Sequence, residues 1–190
     1  MTPRRQQILS TAAGLFAARG FHGVSMGDIG AAVGISGPAL YKHFASKDDI
    51  LGHCLLHASD QLLAGARELL SEPEAAAEGA LTALIARHAD FALDNPALIV
   101  VQEREWGALG ADARAQVRER QLAYVDVWCD ALRPLRPDLS GPQARAAVQA
   151  AFGLLNSTPH SARIGRATMR SLLTTMARAA LLPGTASRDR

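Results

Sequence analysis

The 190-residue sequence has little of several residue types, and each shortage excludes a class of protein. Its two cysteines, Cys54 and Cys129, lie 75 positions apart, which excludes a disulfide framework and a CxxC site. No apolar run approaches the ~18 residues that a membrane helix needs. The N-terminus lacks the uninterrupted apolar core of a signal peptide, because Arg19 and polar residues break it up. The sequence therefore predicts a soluble, cytoplasmic protein with no membrane partner.

Aromatic residues make up only 5% of the chain and β-branched residues are sparse, whereas alanine is the commonest residue and 18 arginines stand against 2 lysines. Alanine and arginine are strong helix formers, and strands favour the residue types that are scarce here. The composition therefore predicts an all-α protein. A chain of this length buries about 70% of the surface that it exposes when unfolded, which excludes a mini-protein that needs a metal or disulfides to fold.

Serine-led start signals divide the chain into helices. Ser25 and Ser46 are each followed three residues later by an aspartate, the capping-box pattern in which each side chain accepts a hydrogen bond from the other residue's amide. Ser71 and Ser140 repeat the pattern with a proline in the first turn. We predict about nine helices, near residues 3–19, 26–33, 37–43, 47–70, 74–94, 97–109, 112–133, 141–157 and 163–182. Residues 183–190 are predicted to form a disordered tail.

Two short helices interrupt what is otherwise the pattern of a helical bundle. Residues 26–33 and 37–43 are separated by a tight turn that contains Gly34, and this arrangement is typical of a helix-turn-helix. From residue 47 on, the predicted helices are longer, so we place a domain boundary between 46 and 47. The prediction is a small three-helix head, residues 1–46, and a larger helical domain, residues 47–182.

The second short helix carries residue types that suit a nucleic-acid surface. Gly37 and its two successors leave the start of this helix nearly without bulk, so its backbone can approach base edges closely. Tyr41, Lys42 and His43 follow with a phenol, an ammonium and an imidazole, all of which can donate to phosphate oxygens. Lys47 opens the next helix, whose N-terminal amides also favour a phosphate.

The stretch Leu40-Tyr41-Lys42-His43-Phe44-Ala45-Ser46-Lys47, with residues 21–29 and Gly34-Ile35-Ser36, resembles the TetR family of bacterial repressors. The resemblance covers residues 5–51, and beyond them it is architectural only. It implies that the head, residues 1–46, binds DNA and that residues 47–182 form a helical ligand-binding and dimerisation domain. One departure is Gly30, where the family usually has alanine. The resemblance implies DNA contacts from the positions that match the family motif: Ser25, Met26, Ser36, Gly37, Pro38, Tyr41, Lys42, His43 and Lys47.

Chemistry assigns roles to several of these positions. Lys42 can reach a guanine edge or a phosphate, Ser36 can hydrogen-bond a base edge, and the carbons of Pro38 and Ala39 can touch a thymine methyl group. Few long side chains are available for reading bases, so we expect DNA shape to supply part of the specificity. Tyr41 and Phe44 are alternatively plain core aromatics.

The net charge of +2 conceals an uneven distribution. Residues 1–47 carry five basic residues against Asp28 alone, a net charge of +4, and residues 48–190 carry a net charge of −2. A basic head on a slightly acidic body fits a DNA-binding protein. Arg4 and Arg5, near the N-terminus, are expected to reach flanking phosphates or the minor groove.

The larger domain is expected to hold an effector pocket. Scarce large residues and polar neighbours are its predicted lining, although each is alternatively a core residue. The predicted members are Phe91, Glu103, Trp106, Tyr124, Trp128, Phe152, Asn156 and His160. Residues 152–160 resemble those of some actinobacterial family members, several of which sense acyl-CoA or related lipid compounds. The resemblance thus implies a small lipophilic effector.

Broad apolar stripes near residues 141–157 and 163–182 either serve the core of the chain or form half of an intersubunit four-helix bundle. The family resemblance implies the second arrangement, and a palindromic operator needs two recognition helices about 34 Å apart. We therefore predict a homodimer. Its predicted interface residues are Ala144, Val148, Ala151, Leu155, Met169, Leu172 and Met176.

The resulting hypothesis is a ligand-responsive repressor that a small molecule releases from its operator. An enzyme is the first alternative, but the chain lacks GxSxG, GxGxxG, Walker A and HExxH motifs. A helical adaptor or a metal-binding protein without DNA binding is the second. His53 and His57 have a spacing that can place two imidazoles on one metal, but no third ligand is assigned. No cofactor and no metal site are predicted.

Overall fold

The computed structural model describes residues 1–71 and 77–182, and all regular secondary structure in these ranges is helical. The all-α prediction is confirmed. The helices are α1 Pro3–Arg19, α2 Met26–Ala32, α3 Gly37–Tyr41, α4 Lys47–Leu70, α5 Ala77–Asp94, α6 Pro96–Glu105, α7 Ala111–Leu132, α8 Gly141–Leu155, α9 Thr158–Ser161 and α10 Arg166–Leu181, with a 3-10 turn at Trp106–Ala108.

Some predicted boundaries differ from the observed ones. The helix predicted at 97–109 ends at Glu105 and continues as the 3-10 turn. The helix predicted at 141–157 ends at Leu155, because Pro159 lies in the first turn of a separate four-residue helix, α9. Thr158 anchors α9 through a buried hydrogen bond from its hydroxyl to the Ala92 carbonyl, at 2.8 Å. The predicted start of the fifth helix at residue 74 and the predicted tail 183–190 lie outside the described residues.

The described residues form two compact units. The first unit combines residues 1–61 with residues 97–120, and the second combines residues 62–71, 77–96 and 121–182. Helix α4 contributes residues to both units. The predicted boundary at residue 46 falls within the first unit, and the functional division that it marks stays a prediction.

The core of the first unit joins the three head helices to α4 and to residues after position 97. Ile8, Phe16, Ile29, Leu40 and Phe44 are almost completely buried in it. Phe44 is therefore a core aromatic. Burial of this kind contributes about 1.5–3 kcal/mol per large apolar side chain, and it holds the short helices α2 and α3, which are too short to be stable alone.

The second unit packs α5 against α10 and α8 around a separate apolar core. Ion pairs tie α5 to α10 at the surface: the Arg170 guanidinium lies 2.7 Å from the Asp90 carboxylate, and Arg166 bonds Asp94 at 2.9 Å. Hydrogen bonds from Arg170 are the main reason that the pKa of Asp90 lies below its usual range. These partly exposed pairs add specificity to the packing more than stability.

Most residues predicted to form the dimer interface lie in this core. Ala144, Val148, Ala151, Leu155 and Met169 are all buried within the single chain, and Val148 and Leu155 have no exposed surface. A side chain that is already covered has nothing to bury against a partner. The structure therefore places these five residues in the core of the second unit.

Leu172 and Met176 behave differently, because each keeps 46% of its surface exposed. They lie one turn apart on α10, and each directly precedes a buried residue, Leu173 or Ala177, so they flank the buried face. Of the predicted interface residues, these two have surface that a second chain can cover.

Within residues 1–71 and 77–182, no helix combines the length and the apolar composition of a membrane span.

The turn between α2 and α3 should be sensitive to a single methyl group. Gly34 adopts a φ of +72°, where a side chain is strained. We expect Gly34→Ala to lower the free energy of unfolding by about 1 kcal/mol. Urea denaturation measures the change. Gly14→Ala is the control, because Gly14 lies inside α1 with open space around it. That variant should gain about 0.5–1 kcal/mol, and equal effects of the two substitutions would contradict the turn assignment.

Candidate nucleic-acid interface and effector site

Two serine caps and a close backbone approach build the helix-turn-helix. The hydroxyl oxygens of Ser25 and Ser36 accept amide hydrogen bonds at the starts of α2 and α3, and the cap at Ser25 confirms the predicted one. The Ile35 N–H donates to the Gly30 carbonyl at 2.9 Å, which holds the turn against α2. A Cβ at position 30 would lie 2.9 Å from the Ile35 oxygen, so glycine permits this approach.

The exposed surface of this motif contains half of the residues predicted to contact DNA. Tyr41 is 56% exposed, so it is a surface residue, unlike Phe44. The other exposed members are Ser25, Ser36, Pro38 and Lys42, and the half-buried members are Met26, Gly37, Ala39, His43 and Lys47. The buried Leu40 fixes the opposite side of α3, so Tyr41 and Lys42 point away from the core.

Lys47 has a local role that its position at the start of α4 did not reveal. Its Nζ donates to the carbonyl oxygens of Phe21 and Val24, at 2.7 and 2.8 Å, and lies 4.3 Å from the centroid of the Phe21 ring. Two of the three ammonium N–H groups are therefore used inside the head. A phosphate contact by Lys47 stays a prediction and would rely on the third.

Arg4 and Arg5 lie in the first turn of α1, and both bind the head itself. Arg4 donates to the Val33 carbonyl at 3.2 Å, at the end of α2. Arg5 donates to the His43 carbonyl, and its guanidinium lies 4.2 Å from the centroid of the Phe44 ring. In this arrangement their charges reinforce the basic surface but their donors are partly occupied.

Asp28, the one acidic residue of the predicted head, is bound by residues of the head itself. The Asp28 carboxylate accepts hydrogen bonds from the Ser25 hydroxyl and from the Ser25 amide, the latter at 2.8 Å. These bonds are the main reason that the pKa of Asp28 lies below its usual range. Arg19 lies 3.5 Å from the same carboxylate. Since its hydroxyl is engaged by Asp28, Ser25 serves α2 as a cap in addition to its predicted role in DNA contact.

In the second unit, four of the predicted pocket residues surround His88. The Tyr124 hydroxyl lies 3.0 Å from His88 Nδ1, and the Asn156 side-chain oxygen lies 3.0 Å from Nε2. The Phe152 ring stacks on the imidazole at 4.8 Å between centroids, and Trp128 meets it edge-on at 5.9 Å. We call these five residues the His88 cluster.

The hydrogen bonds define the state of His88. Burial lowers the pKa of His88 to about 4, so the imidazole is neutral at pH 7. Its Nε2–H then donates to the Asn156 carbonyl oxygen, while Nδ1 accepts from the Tyr124 hydroxyl. Both ring nitrogens of His88 are therefore satisfied inside an apolar core, and such buried hydrogen bonds fix the positions of the groups that they join.

No sequence motif singled out His88. The missed signal is its register: Leu81, Leu84, Ile85 and Ala92 form the buried stripe of α5, and His88 continues it. A histidine in an apolar stripe needs polar partners, and the scarce Tyr124 and Asn156 supply them.

The remaining predicted pocket residues lie elsewhere. Phe91 is half-buried on α5, and His160 is exposed at α9. Glu103 and Trp106 belong to the first unit, where Trp106 packs against the core of that unit.

Arg87 adds a positive charge beside the His88 cluster. Its guanidinium packs against Gly65 of α4. A Cβ on Gly65 would lie only 1.8 Å from Arg87 Nη2, so the guanidinium occupies the space that a side chain at position 65 would need. Burial raises the pKa of Tyr124, and the charge of Arg87 acts in the opposite direction. Among the described residues no carboxylate forms an ion pair with Arg87, in contrast to the paired Arg166 and Arg170.

His53, one of the two histidines weighed as metal ligands, has other partners. The His53 ring lies 3.3 Å from the Asp49 carboxylate and packs edge-on against Phe44. The intervening Cys54 is buried, and its thiol lies 3.4 Å from the Leu9 carbonyl. In the described parts of the chain, no three histidine, cysteine, aspartate or glutamate residues are grouped to hold a metal ion.

Comparison with known protein families agrees with the geometry of the head. Residues 8–54 match the family of bacterial regulatory proteins called the tetR family, and residues 74–160 match a tetracyclin repressor-like C-terminal domain. The chain therefore belongs to the TetR family. It is a transcriptional regulator with an N-terminal helix-turn-helix, and members of this family are DNA-binding proteins and not enzymes.

Two curated relatives align over most of the chain. The transcriptional activator FasR of Mycolicibacterium smegmatis is 28% identical over 160 residues, which cover 84% of this chain and 71% of FasR. The transcriptional repressor KstR2 of Mycobacterium tuberculosis is 29% identical over 143 residues, which cover 72% of this chain and 71% of KstR2. The two relatives act in opposite directions on transcription.

Solved structures show the same fold. A TetR-family regulator from Bordetella parapertussis 12822 superposes with a TM-score of 0.84 and 26% identity, over 95% of each chain. AibR, solved with isovaleryl coenzyme A and operator DNA, has a TM-score of 0.73 and 20% identity, over 91% of this chain and 97% of AibR. At this identity the likeness to AibR shows the fold alone.

The buried imidazole should make stability depend on pH. A histidine whose pKa is about 4 in the folded state and near 6.5 when unfolded stabilises the fold fully above pH 6.5, and this contribution is lost as the pH falls toward 4. The loss is on the order of 3 kcal/mol. His88→Gln, which does not titrate, should therefore flatten the stability profile between pH 6.5 and 4.5, as measured by urea denaturation.

His22→Gln is the control, because His22 is exposed in the turn after α1. It should retain the wild-type profile. A His88→Gln profile as steep as that of wild type would show that the imidazole is not buried in its neutral form.

Proposed function

We propose that the chain is a cytoplasmic repressor that binds a palindromic operator as a homodimer and leaves it when a small lipophilic, acyl-CoA-like molecule binds. The observation that carries the DNA-binding half is the exposed edge of α3, from Ser36 to Lys42, on a motif whose turn and caps are fully formed. The repressor assignment agrees with the relative KstR2, whereas FasR is an activator.

The side chains on α3 fit different parts of a DNA duplex. The small residues Gly37 and Ala39 let the first turn of α3 approach the bases in the major groove. Tyr41 and Lys42 follow on exposed positions, where a hydroxyl and an ammonium can bind phosphates and set the register of the helix. Specificity then comes from Ser36, Pro38 and the shape of the DNA.

Dimerisation is proposed through the exposed face of α8 and α10. Leu172 and Met176 supply large apolar surface on α10. The exposed face of α8 carries the small residues Ala146, Ala150 and Gly153, which permit a close approach of helices. Two chains that pack these faces together form a four-helix interface in a dimer that carries two heads.

The effector is proposed to bind at the His88 cluster. The cluster offers stacked aromatic rings for an apolar body and a hydroxyl and an amide for a polar group. The guanidinium of Arg87, which forms no ion pair with any carboxylate in residues 1–71 and 77–182, suits an anionic group such as a phosphate or a carboxylate. These features together fit an acyl-CoA-like molecule.

Helix α4 supplies a covalent route from effector to DNA. It begins at Lys47, inside the first unit, and its last residues belong to the second. A bound effector that tilts α4 would move the two recognition helices away from their one-turn spacing. A coupling free energy of about 1–3 kcal/mol is enough to lower operator affinity 5- to 150-fold.

Lys42 provides the test of the DNA surface. Removing one phosphate contact in each protomer should lower the slope of log K against log salt by about 2 for the dimer. Lys42→Ala should therefore bind all duplexes more weakly with a flatter salt dependence, in fluorescence anisotropy titrations on DNA that flanks the gene. Arg118→Ala, which removes an exposed charge from α7, should leave the slope unchanged. A Lys42→Ala slope equal to that of wild type would remove Lys42 from the interface.

The dimer interface is tested by a double substitution, Leu172→Glu with Met176→Glu. Burying two carboxylates in each protomer should produce monomers in light scattering and abolish high-affinity operator binding. Leu122→Glu is a matched control, since Leu122 is equally exposed (45%) but lies on α7. A stable dimer of the double variant would place the interface elsewhere.

The anion-binding role is tested with palmitoyl-CoA as the probe in isothermal titration calorimetry. Arg87→Gln should weaken its binding about tenfold, because a charge-assisted contact is lost. Arg67→Gln is the control, as it removes an exposed guanidinium from α4 in the same unit. Equal affinities of wild type and Arg87→Gln would contradict the anion-binding role of Arg87. The absence of binding by wild type would contradict the proposed effector class.

A further inference from the structure

Two charged residues from outside the helix-turn-helix hold the turn between α1 and α2. The Glu105 carboxylate, at the end of α6, accepts a hydrogen bond from the Phe21 N–H at 3.0 Å. From α4, the Lys47 ammonium binds the Phe21 and Val24 carbonyls. The amide of Phe21 is thus fixed by one helix and its carbonyl by another.

The Glu105 carboxylate satisfies an amide that is buried in the α1–α2 turn. Phe21 is 4% exposed and packs on Phe16 with 5.4 Å between ring centroids, so its amide is in a buried region where an unpaired N–H is unfavourable. The carboxylate lies 3.7 Å from a Cβ built at Gly20, next to the C-terminal end of α1. The C-terminal end of a helix repels negative charge. The hydrogen bond from the Phe21 amide, and not the helix dipole, therefore holds the Glu105 carboxylate there.

The turn controls where the DNA-binding surface lies. Phe21 is four residues before Ser25, the cap of α2. The backbone bond between Ile35 and Gly30 then joins α3 to α2. A shift of Phe21 relative to α6 therefore moves α2 and α3 together, with the residues that face DNA.

We infer that Glu105 is a positioning residue for operator recognition. Its carboxylate fixes the α1–α2 turn and thereby the register of α2 and α3 on specific DNA, without touching DNA itself. The inference rests on the proposed operator binding. It separates two kinds of affinity: specific binding requires the correct register of both heads, whereas non-specific binding depends on the phosphate-binding charges, which Glu105 does not alter.

The test uses full-length protein and two duplexes, namely the sequence that wild type selects from a random pool and poly(dI-dC). Glu105→Ala should bind the selected duplex about tenfold more weakly, bind poly(dI-dC) as wild type does, and keep the wild-type salt slope. Glu105→Gln retains an acceptor oxygen and should stay within twofold of wild type on both duplexes. Glu105→Asp retains the charge on a shorter side chain and should resemble Glu105→Ala.

Several results would overturn the inference. Equal losses on both duplexes would indicate a general loss of folded protein. If Glu105→Ala bound both duplexes as wild type does, the hydrogen bond would not set the register. The same conclusion would follow if Glu105→Asp behaved as wild type while Glu105→Gln lost affinity. Glu68→Ala, which removes an exposed carboxylate from α4, should change neither affinity. Failure of wild type to select any duplex would instead refute the operator binding on which the inference rests.

Discussion

The arrangement of the head depends on one close backbone contact, the hydrogen bond from the Ile35 N–H to the Gly30 carbonyl. It brings the α2–α3 turn so near to α2 that a Cβ at position 30 would lie only 2.9 Å from the Ile35 oxygen and the turn would have to shift. Leu40 can then fill the core from α3, and Tyr41 and Lys42 are left on the outside. The surface proposed to bind DNA is therefore a consequence of how tightly two short helices are joined.

The second unit holds a polar side chain, His88, in its apolar core. His88 is tolerated because Tyr124 and Asn156 satisfy both of its nitrogens, and the aromatic rings around it bury apolar surface. Such a network is stable when complete and costly when one member moves. This property suits a site where a ligand with its own hydrogen-bonding groups replaces one of the partners.

Local signals predicted much of the fold. Ser25 caps α2, as its spacing from Asp28 indicated, because capping depends on residues only three positions apart. The apolar periodicity of α8 and α10 located a buried face, but periodicity does not say whether a face is buried by its own chain or by a partner. Val148 and Leu155 consequently belong to the core, and Leu172 and Met176 carry the surface left for a partner.

The sites were harder to predict because they depend on contacts between distant parts of the chain. Lys47 looked like a phosphate ligand from its position at a helix start, yet it binds carbonyls 23 and 26 residues earlier. The state of His88 depends on its hydrogen bond with Asn156, 68 residues later. No spacing rule covers such separations, so these roles became visible only in the folded chain.

The most direct test of the account is hydroxyl-radical footprinting of the wild-type protein on the duplex that it selects. The account predicts two protected segments related by a two-fold axis, with centres about 34 Å, or one helical turn, apart. A single protected segment, or protection without two-fold symmetry, would contradict a dimer that presents two copies of α3 to a palindromic operator.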